Sequence, residues 1–212
     1  MFSKDLGIDL GTMFTRLADS TQVLVEEPTI VAIEAYAQKM VAVGQEARDM
    51  YGRVPESIEV ARPLKNGVIA DYEITETLLS YLLQRVSGSM RIFRPRVMIT
   101  VPYGVTSVER RAVYEAVLEA GSREAYLIQQ PLAAALGVDL PIGSPSGNMA
   151  ICLGGGCTEA AVMAMYGIVS AETLRAGGMD QLRRLADLRL DQAEGGRLRH
   201  HDRRHVGSKR RP

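Results

Sequence analysis

Two segments far apart in the chain share one local plan, and that plan limits the fold more than any other feature. Leu6-Gly7-Ile8-Asp9-Leu10-Gly11-Thr12 and Ala150-Ile151-Cys152-Leu153-Gly154-Gly155-Gly156-Cys157-Thr158 each run as an apolar strand, a polar residue near its end, a glycine turn and a small side chain beyond. Residues without Cβ bulk let backbone N–H groups converge on an anionic oxygen, so such a turn makes an anion nest. Two nests facing each other can clamp a polyphosphate, through Gly11, Thr12, Met13 and Phe14 on one side and Gly154, Gly155, Gly156 and Cys157 on the other. Asp9 stands at a strand end, where a carboxylate can hold a metal ion or its waters beside those phosphates. Either turn alone is weak evidence, because most glycine turns between strands are only turns. Neither is a Walker A loop, which needs Lys-Ser/Thr after its last glycine, or a dinucleotide fingerprint opening a helix.

Around these turns, short strands alternate with amphipathic helices, the pattern of an α/β layer architecture. Leu6–Leu10, Thr15–Ala18 and Val23–Val25 open as a meander, and Ile30–Ile33 with Met40–Val43 reads as a further strand pair followed by a short helix from Glu46 to Tyr51. From Thr75 to Val86, the residues Leu79, Leu82, Leu83 and Val86 fall on one helical face, which marks a core helix. Arg96–Val101 is a strand. Thr106-Ser107-Val108-Glu109 reads as a capping box for a helix that Gly121 stops. Tyr126–Ile128 is another strand, Pro131 opens a helix that Gly137 ends, and Met149–Leu153 and Glu159–Met165 flank the second glycine turn.

Composition excludes several classes. The chain has 212 residues, 46% hydrophobic and 24% charged, a globular balance rather than a disordered or collagenous one. Cys152 and Cys157 are too few for a disulfide framework, and His200, His201 and His205 all lie at the end of the chain, away from them. Small buried thiols are the expected state of both cysteines. The opening Met1-Phe2-Ser3-Lys4-Asp5 carries no secretory pattern, and no run of 18 or more apolar residues follows, so the reading is a cytoplasmic protein. The net charge is zero, but Gln181 to Pro212 holds ten Lys or Arg against four Asp or Glu, a net of +6, which leaves −6 on the first 180 residues. Such a basic tail can bind a polyanion, yet it lacks aromatics and strand formers and is not expected to fold alone. Ser89-Met90-Arg91-Ile92-Phe93-Arg94-Pro95 joins a helix to a strand with apolar Ile92 and Phe93 between arginines. That arrangement suits a membrane-surface contact, and it equally suits Phe93 packing beneath the next strand.

Six stretches carry a family resemblance: Asp9-Leu10-Gly11-Thr12, Glu27-Pro28-Thr29-Ile30-Val31-Ala32, Arg62-Pro63-Leu64-Lys65-Asn66-Gly67-Val68-Ile69-Ala70-Asp71, Arg94-Pro95-Arg96-Val97, Val108-Glu109-Arg110-Arg111-Ala112-Val113 and Leu153-Gly154-Gly155-Gly156. Over about residues 2–180 the chain resembles the MreB family of bacterial actin-like cell-shape proteins. The resemblance implies the actin-like ATPase (ribonuclease H-like) α/β fold. Its first large subdomain would be residues 1–32 and 67–145, its small outer subdomain 33–66, and 146–180 the start of a second lobe. It also implies ATP with Mg, self-assembly into filaments, a peripheral site on the inner membrane contacted through Ile92 and Phe93, and work with the cell-wall elongation machinery, with no nucleic-acid partner. Gln129, in Leu127-Ile128-Gln129-Gln130-Pro131, falls where the family positions the attacking water; an amide there can orient water without being a strong base.

Departures from the family pattern bear on catalysis. Cys152 stands where the family carries an Asp, Cys157 where it carries a Thr, and Met13-Phe14 where it carries Ala-Asn. Loss of the Asp removes a carboxylate that would order the metal's waters, so the expected enzyme is at most a weak Mg-ATPase. A non-hydrolysing scaffold and a phosphotransferase of the sugar-kinase and chaperone superfamily are the alternatives. The resemblance ends near Gly177-Gly178-Met179-Asp180, and the arginine-rich residues 181–212 read as a non-native or disordered tail of a truncated or frameshifted chain that binds nucleotide weakly.

Overall fold

The computed structural model describes residues 4–37, 39–87, 94–182 and 184. Its elements, in chain order, begin with β1 (Asp5–Leu10), β2 (Phe14–Ala18), β3 (Val23–Pro28), β4 (Val31–Glu34), β5 (Lys39–Val43), α1 (Gln45–Met50) and β6 (Ile58–Ala61). There follow β7 (Leu64–Lys65), β8 (Val68–Ile69), α2 (Tyr72–Ser87), β9 (Arg96–Val101), α3 (Ser107–Glu119), β10 (Glu124–Gln129) and α4 (Gln130–Gly137). The chain continues through β11 (Asn148–Leu153), β12 (Thr158–Ala164) and β13 (Gly167–Leu174).

A mixed sheet in the order β10-β9-β1-β2-β3 forms the frame. Strands β1, β9 and β10 are parallel, so their C-terminal ends share one edge, and the β1–β2 hairpin turns back from that same edge. Alternation decides the faces: Leu6, Ile8, Leu10, Val97, Ile99 and Val101 all point to one side and are buried there against Leu78, Leu79, Leu82 and Leu83 of α2 and Val113, Ala116 and Val117 of α3. Each fully buried leucine contributes about 2 kcal/mol of apolar transfer free energy. The stripe expected for α2 is therefore core, although the helix begins three residues earlier than the periodicity indicates, at Tyr72. For α3 the capping box is complete: Thr106 Oγ1 accepts the Glu109 N–H at 3.2 Å while the Glu109 carboxylate accepts the Thr106 N–H at 2.7 Å.

A second antiparallel sheet, β5-β4-β6, packs α1 over a small cluster of Ile30, Ala32, Ala42 and Ala47. The third, β11-β12-β13, buries Ala161 and Met163 beneath α4 with Ala135 and Ile142. Its opposite face leaves Met149, Ile151 and Leu153 exposed. After β13, residues 178–182 and 184 are helical, and the Gly177 N–H is received by the Asp180 carboxylate at 2.9 Å. The capping carboxylate lies inside the first turn, where a search for a preceding Ser or Thr does not find it. Ile92, Phe93 and residues 185–212, with the readings made for them, lie outside the described residues. Among the described residues no helix is long and apolar enough to cross a membrane.

Candidate functional site

The two glycine turns are built alike. In the first, the Gly11 N–H is received by the Phe14 carbonyl at 3.1 Å; in the second, the Gly154 N–H is received by the Cys157 carbonyl at 2.8 Å. A Cβ at Gly11 would stand 2.7 Å from that Phe14 oxygen, and one at Gly154 would stand 2.8 Å from the Cys157 oxygen. Glycine is thus required at both positions by the same contact. The first turn is held from outside by Thr29, which donates its hydroxyl to the Gly11 carbonyl at 2.7 Å and its N–H to the Met13 carbonyl at 2.8 Å. The second is held by the helical turn at its back, where Gly178 and Met179 donate N–H groups to the Gly154 and Gly155 carbonyls at 3.0 Å each.

These turns meet. A Cβ on Gly156 would fall 2.4 Å from Thr12 Oγ1, and one on Gly155 would fall 2.1 Å from Met13 Cγ. The N–H groups of Thr12, Met13, Gly155 and Gly156 have no acceptor among the described residues. Four backbone donors in two touching turns supply the groups an anionic oxygen needs. The Met13 side chain lies directly over Gly155.

A third element joins them. Asn66 (φ 52°) and Gly67 (φ 82°) make the tight turn between β7 and β8, and Gly67 donates its N–H to Thr12 Oγ1 at 3.0 Å. Its Cα also abuts Cys157, whose Sγ would be 2.9 Å from a Cβ there. Asn-Gly is a hairpin signal in its own right, so the turn is readable from sequence; that it docks on Thr12 is not. Just upstream, Arg62 donates to the Thr12 carbonyl at 3.4 Å and the Thr29 carbonyl at 3.2 Å.

Charge is concentrated on one side. Asp9 accepts the Thr100 hydroxyl at 3.0 Å and faces Arg16 at 3.4 Å, and Arg16 in turn lies 5.7 Å from the centre of the Phe14 ring. Burial, then Glu159 and then Asp9 push up the Cys152 thiol, so Cys152 and Asp9 stand within electrostatic reach of each other. Burial and the Glu159 carboxylate push the Cys157 thiol up to about 11, which keeps it neutral and unreactive. Glu159 itself is 1% exposed; its Oε1 accepts the Tyr103 N–H at 2.6 Å and the Thr173 hydroxyl at 3.0 Å, while its Oε2 has no partner. Gln129 closes β10 and caps α4 without a side-chain hydrogen bond. Strand alternation puts it on the face of Leu127, opposite to Asp9 and Thr100. No group of three His, Cys, Asp or Glu among the described residues could hold a metal ion directly.

Residues 3–185 match the family described as MreB/Mbl protein. The chain belongs to the MreB/Mbl family. It is 46% identical over 184 residues to the cell shape-determining protein MreB of Haemophilus influenzae, an alignment covering 84% of this chain and 52% of that protein. Among solved structures it is similar to MreB5 of Spiroplasma citri bound to AMPPNP, with TM-score 0.77 and 30% identity over 85% of this chain and 54% of that one. The double helical filament of MamK, at TM-score 0.74 and 21% identity over 90% of this chain and 59% of that one, shares the fold. The fold is accordingly actin-like, as the resemblance implies, and the chain spans about half the length of the MreB relatives it matches. Sequence reading places Thr29, Arg62 and Gly67 only within the family stretches, without a role, and does not single out Glu159, because each acts through a partner distant in the chain.

Proposed function

We propose that the chain binds ATP between its two glycine turns and belongs to a nucleotide-dependent, filament-forming cytoskeleton that acts in cell shape. The observation that carries this reading is the contact of Thr12 and Met13 with Gly156 and Gly155 around four backbone donors without acceptors. A relative solved with AMPPNP supports the nucleotide class. The residues fit a metal bound through water: Asp9 lies at the strand end with side chain 35% exposed and would hold the waters of a Mg ion beside the phosphates, where the ion supplies charge neutralisation. Gln129 is the proposed water-positioning residue, and Ile92 with Phe93 the proposed contact with the inner membrane surface, beside the wall-elongation machinery. The subdomain boundaries given above are proposed on the same footing. Titration calorimetry with ATP and Mg tests binding, and pelleting with and without nucleotide tests assembly. A heat-silent titration under conditions where the protein is folded overturns the nucleotide reading.

A second reading, a scaffold that binds without hydrolysis, is favoured by two observations: Met13 covers Gly155, and a raised, neutral thiol stands at Cys152 near Asp9. Met13→Ala should then raise ATP affinity several-fold while phosphate release stays near background. Release at the rate of an active ATPase in the unaltered protein excludes the scaffold.

A further inference from the structure

Three arginines of the small β5-β4-β6 layer line one cavity, of about 670 Å³, between that layer and the helical turn that begins at Gly178. Arg48 comes from α1, Arg53 from the loop after it, and Arg62 from the segment leading to β7. Asp49 is the acidic residue of the wall, and its carboxylate accepts the Gln45 side-chain amide at 2.7 Å. With three cations and one anion the wall carries a net of +2.

Arginines on a surface are ordinarily solvated or paired, and the other ion pairs of this protein follow that habit. These three differ. None of them forms an ion pair among the described residues. Arg62 is half-buried and fixed by the Thr12 and Thr29 carbonyls, which orient its guanidinium but leave its charge uncompensated. Burial, followed by repulsion from Arg48, holds it below its ordinary value. Like charges gathered in a concave site, one of them pre-oriented, leave an electrostatic cost that a multivalent oxyanion would relieve, and guanidinium forks match phosphate oxygens bidentately. Ile30, Tyr51, Val60 and Met179 complete the wall.

The geometry points to a second oxyanion site in this cavity, taking a polyphosphate through Arg48, Arg53 and Arg62. Its ligand chemistry comes from two sources, a free polyphosphate or the phosphates of a nucleotide. The site adjoins the turns, through Arg62 on the Thr12 carbonyl and Met179 on the Gly155 carbonyl, but it rests on none of the turn N–H groups.

Inorganic tripolyphosphate without Mg is the probe, titrated by calorimetry into the unaltered protein, R48Q/R53Q and D9N. Arg48 and Arg53 are exposed, so the double variant keeps the fold, which circular dichroism checks. Binding should weaken about tenfold in R48Q/R53Q, and it should weaken as salt rises. Absence of binding in the unaltered protein, or equal binding in R48Q/R53Q, overturns the proposal. A parallel titration with Mg-ATP separates the sources. If ATP binding falls in R48Q/R53Q as well as D9N, the cavity takes the nucleotide's phosphates; if it falls in D9N alone, the ligand is a free polyphosphate. Loss of ATP binding in every variant and in the parent, with tripolyphosphate retained, removes the nucleotide reading and leaves this site standing.

Discussion

Thr12 and Gly67, 55 residues apart, are joined by a hydrogen bond of 3.0 Å from the Gly67 N–H to the Thr12 hydroxyl, and Gly156 packs against that same hydroxyl. Three turns from three sheets therefore converge on one buried side chain. Thr12 is small enough to sit between them and polar enough to satisfy the Gly67 donor, which would otherwise be left without a partner.

Gly156→Ala tests this convergence. The new Cβ would lie 2.4 Å from Thr12 Oγ1 and 2.9 Å from Thr12 Cβ, so Thr12 must turn away and release Gly67. The expected loss is about 1–3 kcal/mol of stability, in the range for overpacking. Urea denaturation measures it. Thr12→Val, which keeps the volume and removes the acceptor, should cost about 1–2 kcal/mol through the orphaned Gly67 N–H. An unchanged midpoint in both variants would mean that the turns do not depend on each other.

A pH dependence arises where the first sheet's α3 meets the end of β13. Arg175 grips Glu109 with two hydrogen bonds of 2.9 Å, and Arg175 together with the Thr106 N–H and hydroxyl holds the Glu109 carboxyl down to about 2 from its ordinary 4.5. A carboxyl whose folded value is depressed contributes stability above its unfolded value and loses it as pH falls toward the folded one. Arg175→Ala should therefore cost about 1–2 kcal/mol at neutral pH, discounted for the partial exposure of the pair. That difference from the parent should hold constant down to about pH 5 and shrink between about pH 4.5 and 2. Denaturation curves across that range check it, and a difference that grows on acidification contradicts the pairing.

Glu159 separates two effects that one substitution would confuse. In Glu159→Gln the amide oxygen can keep the Tyr103 N–H and Thr173 hydroxyl, while the buried negative charge disappears. Stability should stay within about 1 kcal/mol of the parent, whereas Glu159→Ala, which orphans the Tyr103 N–H, should lose about 2–4 kcal/mol. The Cys157 thiol reports the charge directly. Burial is the larger cause of its rise and Glu159 the next, so its value should fall from about 11 in Glu159→Gln without reaching that of a free thiol. Thiolate absorbance against pH reads this shift, and no movement would mean that burial alone sets it.

How much of this the sequence discloses depends on how local each signal is. The capping box of α3 involves residues three apart, and it is met in full; the paired glycine turns match in geometry because each depends on a contact within four residues. Strands β7 and β8 have two residues each and carry no periodicity, so the Asn66-Gly67 turn is their only trace. Strand β13 has exposed apolar residues at Val169 and Leu174, which breaks the alternation that would announce it. At the site, the two turns are legible and their meeting is expected, but Arg62, Gly67 and Glu159 take their roles from partners 50, 55 and 56 residues away. A pattern of residue types cannot encode such pairings without the fold.

Cys152→Asp asks whether the site's chemistry is limited by one missing carboxylate. The thiol there is raised by burial, Glu159 and Asp9, and those same neighbours would disfavour a second or third negative charge at this position. Without metal, Cys152→Asp should therefore be destabilised by about 1–2 kcal/mol, with the new carboxyl titrating above its ordinary range. Magnesium with nucleotide should reverse that cost, because a bound cation turns the like-charge cluster of Asp9 and the introduced Asp into its own water-ordering shell. The expected result is a melting temperature below the parent's in chelator and level with or above it in Mg-ATP, accompanied by increased phosphate release. Equal destabilisation with and without Mg-ATP would show that position 152 does not face the phosphates, and would assign the weak-hydrolysis expectation to Met13 or Gln129 instead.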